Sequence, residues 1–227
     1  MKLESFAVDG REVVRARRGQ GGVLLVQPVD EHDLAGLEAE ADALAAQTGA
    51  LPFALAAFRV ADWNDELSPW PAPPVFGDAA FGGGAPRTLA WVEETLLPAL
   101  GARDYARLAV GGYSLAGLFA LYAAWTGDGF NGAAGVSPSV WFPGWTAFAT
   151  TQPPRAGSVY LSLGDREEHT RHPVMRTVGD ELRALQRRLD ATAGVRCCLE
   201  WNPGNDFRAP ALRTAKGLSW LVRALSE

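Results

Sequence analysis

Leu108-Ala109-Val110-Gly111-Gly112-Tyr113-Ser114-Leu115-Ala116-Gly117-Leu118-Phe119 is the stretch that decides how this chain folds. Its first half is an apolar strand. Leu115, Leu118, Phe119 and Tyr122 then recur at helical spacing, so strand passes to helix through Ser114 without an intervening loop. A turn that tight brings neighbouring backbone close and calls for small residues two before and two after the serine; Gly112 and Ala116 stand there. It exposes the Ser114 hydroxyl and turns the Leu115 N–H, at the helix N-terminus, toward the place where a reacting carbonyl would gather negative charge. The bland alternative is a Gly-rich packing turn or one of the dinucleotide-binding kind, because G-x-S-x-A alone is a weak pattern. The strand-turn-helix context favours a nucleophile elbow.

Outward from this turn, short β-branched runs alternate with amphipathic ones. Strands are expected over 22–28, 53–60, 108–112, 132–136, 159–163 and 195–201. Between them Leu34, Leu37, Ala41 and Leu44 form one helical face, and Leu89, Val92, Leu96 and Leu100 another. Val174, Val178, Leu182, Leu185 and Leu189 make a third, and Leu212, Ala215, Leu218, Val222 and Leu225 a C-terminal one. This alternation predicts an α/β fold, a mostly parallel central sheet with helices on both faces, as one domain over 1–227. One long segment, 61–87, fits neither period; it is rich in Pro and Gly and carries Trp63, Trp70, Phe76 and Phe81.

A chain of 227 residues with 48% hydrophobic and 21% charged residues can bury a substantial core, which sets disorder and disulfide-scaffold readings aside. The net charge of -5 is spread without blocks of one sign, so neither a nucleic-acid arm nor a polybasic membrane anchor is expected, and the default partner is a small molecule. Residues 1–18 lack the apolar core of a signal peptide, and no membrane-spanning segment is apparent. Adjacent Cys197 and Cys198 fit no zinc spacing and should face opposite sides of a strand, as packing residues of a cytoplasmic protein. Oligomeric state leaves no mark on the sequence.

A second polar element is Val159-Tyr160-Leu161-Ser162-Leu163-Gly164-Asp165, a strand that delivers a carboxylate at its C-terminal end. Asp165 is the candidate to orient a catalytic base, with a turn or N-cap role as its structural alternative. The base itself should be a His in the loop after the last strand. That loop, Glu200-Trp201-Asn202-Pro203-Gly204-Asn205-Asp206-Phe207, contains none.

Four stretches together resemble a known family: 62–70 (DWNDELSPW), the elbow 112–119, 136–141 (VSPSVW) and 201–205 (WNPGN). They are similar to the esterase branch of the α/β-hydrolases that includes siderophore (enterochelin-type) esterases and is related to S-formylglutathione hydrolases. The resemblance implies an α/β-hydrolase fold with no large lid domain, carboxylic-ester hydrolysis through Ser114, and no metal or organic cofactor. Relatives read W-N-P-G-N-H-F in the last stretch, which puts their catalytic His on Asp206 of this sequence.

A carboxylate, with a reference pKa of about 3.9, accepts a serine proton far less readily than imidazole near about 6.5, so acylation is expected to be slow. Asp206 beside Asp165 would also favour protonation of one of the pair, leaving less base still. His169 and His172, in the loop after Asp165, are substitute bases to be weighed against a solvated loop, and His32 reads as a surface residue. The second oxyanion N–H is expected from Val60 or Ala61. Trp63, Trp70 and Trp141 are candidates to wall the substrate pocket, with loop packing as their alternative. Asp165 with Asp206 is too sparse a pair to suggest a metal site. The rival class is a non-catalytic binding protein that retains the pocket.

Overall fold

The computed structural model describes residues 1–75, 77–205 and 209–227. Eight strands form one sheet: β1 (Leu3–Val8), β2 (Arg11–Arg18), β3 (Val23–Val29), β4 (Phe53–Arg59), β5 (Arg107–Tyr113), β6 (Gly132–Val136), β7 (Ser158–Gly164) and β8 (Arg196–Asn202). Their order is β1-β2-β4-β3-β5-β6-β7-β8. From β4 through β8 every neighbour runs parallel, and the β1–β2 hairpin adds antiparallel at one edge. The α/β class and the six parallel strands β3 to β8 are those the sequence predicts.

Helices α1 (Glu31–Thr48) and α6 (Pro210–Ser226) cover one face. On the other lie α2 (Ala85–Trp91), α3 (Leu115–Thr126), α4 (Trp145–Thr151) and α5 (Val178–Asp190). With both faces covered, β3 and β4 are buried almost throughout, which is why they read as continuous apolar runs rather than alternating ones. Cys197 packs on one face and Cys198 on the other, and burial pushes the Cys197 thiol up to about 12. Both are free thiols. Among the described residues no helix is long and apolar enough to cross a membrane.

Three differences from the sequence reading have local causes. The β1–β2 hairpin turns at Asp9-Gly10, both with positive φ as a two-residue hairpin demands, but REVVRARR in β2 hides its two apolar faces among charges. Val174 lies outside α5 and is exposed, because a short turn at Met175–Thr177 precedes that helix, with His172 Nδ1 accepting from the Met175 N–H at 3.3 Å. Leu212 is helical but exposed rather than part of the buried face.

The sheet opens where strand order reverses, between β3 and β5. Their ladder runs only from Val23–Arg107 to Val26–Val110, and beyond it comes Pro28, which has no N–H to offer a neighbour. Val29 turns its carbonyl the other way, accepting from Val60 N–H at 3.0 Å. A crevice at the carboxyl ends of strands is therefore built in at the topological switch point.

Glu40 of α1 is buried beside this opening, accepting a hydrogen bond from Gln27 Nε2 of β3 at 2.8 Å. Burial pushes its carboxyl up to about 8. Between the ordinary carboxylate range and that value the folded protein holds a proton that the unfolded chain has released, so stability falls as pH rises through the window. Glu40→Gln should lose less stability than the parent chain between about pH 5 and about pH 9, by a difference on the order of a few kcal/mol, as measured by urea unfolding at each pH.

Candidate active site

Ser114 caps the start of α3 with φ 56° and ψ -119°, a backbone conformation non-glycine residues seldom adopt. Both ends of the turn are pinned. Ser114 N–H donates to Val136 O at 3.0 Å, and Ser114 O accepts from Leu118 N–H at 3.0 Å and Ser139 N–H at 3.1 Å. A Cβ on Gly112 would lie 2.6 Å from the Ala116 carbonyl, and one on Gly117 would lie 2.9 Å from Gly112 O. The small residues around the serine are thus a steric requirement, with Gly117 as a further member of the set. Ser114 Oγ stands 3.4 Å from Ser139 Oγ, a residue the motif contains but to which the sequence reading gives no role.

Asp165 stands at the end of β7 and is tied to the loop after β8. Its Oδ1 accepts from Gly204 N–H at 2.8 Å, its own N–H donates to Asn202 O at 2.8 Å, and Arg166 N–H donates to Gly204 O at 3.1 Å. Gly164 permits this approach, since a Cβ there would fall 2.3 Å from Gly204 O. Asp165 therefore sits at the root of the loop that carries Asp206. Asp206 itself lies outside the described residues.

Beneath the elbow is a buried ion pair that the sequence reading misses. Glu167 Oε1 accepts from Arg213 Nη2, Ser137 Oγ and the Gly164 N–H, at 2.8, 2.8 and 2.6 Å. Arg213 Nη1 donates to Tyr113 Oη at 2.8 Å and to Asn205 O at 3.1 Å, and Nη2 also reaches Ser137 Oγ. One guanidinium so joins the residue before Ser114, the turn after β6, the turn after β7 and the loop after β8. An arginine on an otherwise inward helix face, next to Thr214 and Ala215, is the signal that could have found it. On the neighbouring residue, Glu168 takes a two-pronged contact from Arg183 at 2.8 and 2.9 Å, which holds its carboxyl below the usual range. The turn Glu167–His169 is anchored on two sides.

Two hollows meet at Ser114. One, of about 350 Å³, is lined by Ser114, Ser139, Trp141, Glu167, His169 and Met175, among others. The other, of about 300 Å³, is lined by Asp30, His32, Asp33, Trp63, Tyr113, Ser114 and Pro210. Trp141 and Trp63 thus take places in walls on either side of the serine. Trp70 lines neither: its Nε1 donates to Pro143 O at 2.8 Å and its ring packs on Phe142 and Phe148. The loop-packing alternative holds for that residue. Of the expected oxyanion donors, Val60 and Ala61 have N–H groups with other partners. Val60 N–H is used by Val29 O in extending the sheet, and Ala61 N–H donates to Glu66 Oε1 at 2.6 Å, where Glu66 ties the start of the short helix Trp63–Glu66.

Among solved structures, the chain matches an IroE-like serine hydrolase from Shewanella oneidensis with a TM-score of 0.77 at 15% identity, over 98% of this chain and 80% of the other. It matches the siderophore hydrolase EstA from Aspergillus nidulans at 0.71 and 17% identity, over 98% and 94%. The chain has the α/β-hydrolase fold. An enterochelin esterase from Shigella flexneri, TM-score 0.70 and 17% identity, matches over all of this chain but 59% of its own. These neighbours are of the kind the four motif stretches resemble. No family model and no curated protein matches the sequence. In this chain the segment between β6 and β7 contributes only the short helix α4.

The ion pair under the elbow gives a stability test. Arg213→Met leaves the Glu167 carboxylate buried without its cation and should cost about 3–5 kcal/mol in urea unfolding. Adding Glu167→Gln should recover part of that loss, so that the double variant is more stable than the sum of the single changes.

Proposed function

We propose that the chain is a serine carboxylic-ester hydrolase acting on small-molecule esters through an acyl-enzyme on Ser114. The observation that carries this reading is the left-handed backbone of Ser114, φ 56°, at the carboxyl end of a central strand and at the junction of two hollows. Holding a non-glycine residue there costs on the order of 1–3 kcal/mol, for which a packing turn has no use. The siderophore and enterochelin esterases among the structural neighbours support an ester as the substrate class.

In this mechanism Ser114 Oγ bonds to the ester carbonyl carbon as its proton leaves for a base. The carbonyl oxygen becomes an oxyanion facing the Leu115 N–H. With Val60 and Ala61 committed elsewhere, the second donor falls to the N–H of Trp63, whose residue lines the same hollow as Ser114. Collapse breaks the bond to the alcohol, which takes up the proton. Water then attacks the acyl-enzyme by the same steps and releases the acid.

The base is where this chain departs from its relatives. With Asp206 in the expected loop position, a carboxylate must accept the serine proton, and the reaction is slow for the reason its pKa gives. A second reading has one observation in its favour: His169 lines the cavity that holds Ser114, on a turn fixed by Glu167 and Glu168. In that reading its imidazole takes the proton.

The test is hydrolysis of a p-nitrophenyl short-chain ester by the parent chain and by Ser114→Ala, Asp206→His and His169→Ala. Asp206→His should raise the rate by about 10²- to 10⁴-fold, and Ser114→Ala should abolish it. A rate that depends on His169 and gains nothing from Asp206→His assigns the base to His169. Failure of the parent and of Asp206→His, both with the ester and with a fluorophosphonate probe, sinks the hydrolase reading in favour of a binding protein.

A further inference from the structure

A third hollow, of about 430 Å³, fills the parting of β3 and β5; Gln27, Asp33, Glu40, Gly112, Tyr113 and Leu212 are among its lining residues. It shares His32, Asp33, Tyr113 and Pro210 with the hollow that opens on Ser114, so the two are successive stretches of one cleft. Its walls are largely apolar, from Val29, Ala35, Pro210 and Leu212. Beside Gln27, Tyr113, Thr214 and the imidazole of His32, its polar groups are carboxyls. Asp30, Asp33 and Glu40 line the two stretches, and among the described residues no Lys or Arg does.

The inner end is also unsatisfied. Gln27 is 2% exposed, donates to Glu40 at 2.8 Å, and its Oε1 has no partner among the described residues. Turning the amide round would leave its nitrogen in the same position, so one buried polar atom lacks a mate in either assignment. Burial raises the carboxyls of both Asp33 and Glu40; His32 opposes the rise at Asp33, while no cation acts on Glu40. Arg213, across the Tyr113 ring, has its charge taken up by Glu167.

We propose that this stretch is a binding arm of the active-site cleft for an organic ammonium group, so that the esters this protein prefers carry a positive charge on a short apolar stem. The ammonium meets Glu40 and Gln27 at the inner end, and Asp33 flanks its path. The other arm, past Trp141 and Met175, is left for the remaining side of the ester. Anionic esters are excluded by the same carboxyls.

The hydrolytic half of this proposal rests on the esterase reading, and two measurements keep them apart. The first compares p-nitrophenyl 6-aminohexanoate, protonated at its amine, with its neutral isostere, p-nitrophenyl heptanoate. The cationic ester should have a kcat/KM higher by about tenfold or more, and the ratio should approach one in Glu40→Gln and in Asp33→Asn. Equal rates for the two esters overturn the proposal while leaving the esterase reading intact.

The second measurement is calorimetric binding of n-butylammonium against n-butanol, which needs no turnover. The ammonium should bind about tenfold or more tightly, and more tightly at about pH 9 than at about pH 6 as Glu40 loses its proton; Asp30, Asp33 and His32 on or beside α1, Gln27 and Tyr113 on the flanking strands, and uncharged Thr214 on α6 are the groups that face it. If neither ester is hydrolysed but the ammonium still binds with this pattern, the esterase reading fails and the cation site stands. If the amine and the alcohol bind alike, or neither binds, the cation site is wrong.

Discussion

The conformation of Ser114 is the constraint on which the rest depends. A residue at φ 56° between a strand and a helix can be held only if the two elements press together on either side of it. They do so with contacts that admit no side chain at Gly112 or Gly117 and only a methyl group at Ala116. This closeness places β5 and α3 relative to each other, and the bond from Ser114 N–H to Val136 O adds β6. Ser139, reached through the Ser114 carbonyl, then carries the next turn to the serine. A strained backbone at one residue so fixes the rim of the site, while the hydrophobic faces of the sheet supply the stability that sustains it.

Much of this was legible in the sequence because each signal was local. The elbow could be read from small residues at fixed offsets from Ser114, and the six parallel strands from apolar runs, since burial on both faces of the central ones removes the alternation that would otherwise be sought. Asp165 could be placed at a strand end. The hairpin at the N-terminus was not read, because β2 alternates between two covered faces while four arginines occupy its eight positions. Val60 and Ala61 failed as oxyanion donors for a reason no pattern carries: their N–H groups are claimed by Val29 and Glu66, partners set by tertiary register. Trp63 and Trp70 look equivalent in the sequence, yet one lines the cleft and the other fills a space between Phe142 and Phe148.

The protein handles buried charge in two opposite ways on the two sides of the elbow. On the side of the turns after β6 and β7, Arg213 and Glu167 are both nearly inaccessible and paired, so desolvation is offset by contact and by hydrogen bonds to Ser137, Tyr113 and backbone groups, although Arg213 Nε has no partner among the described residues. Such a pair adds little net stability over an apolar substitute, but it joins four separate segments in one geometry. On the other side, Glu40 has no cation and stays protonated over the range where its exposed counterparts ionise. The contrast follows from what surrounds each group. Glu167 lies where four chain segments converge and can lend donors, whereas Glu40 faces the gap that opens because β3 and β5 part beyond Val26. A sheet whose strand order reverses at its centre cannot close that gap with its own backbone. A carboxyl placed there is met by Gln27 rather than by a cation, and the Gln27 Oε1 is left without a partner among the described residues.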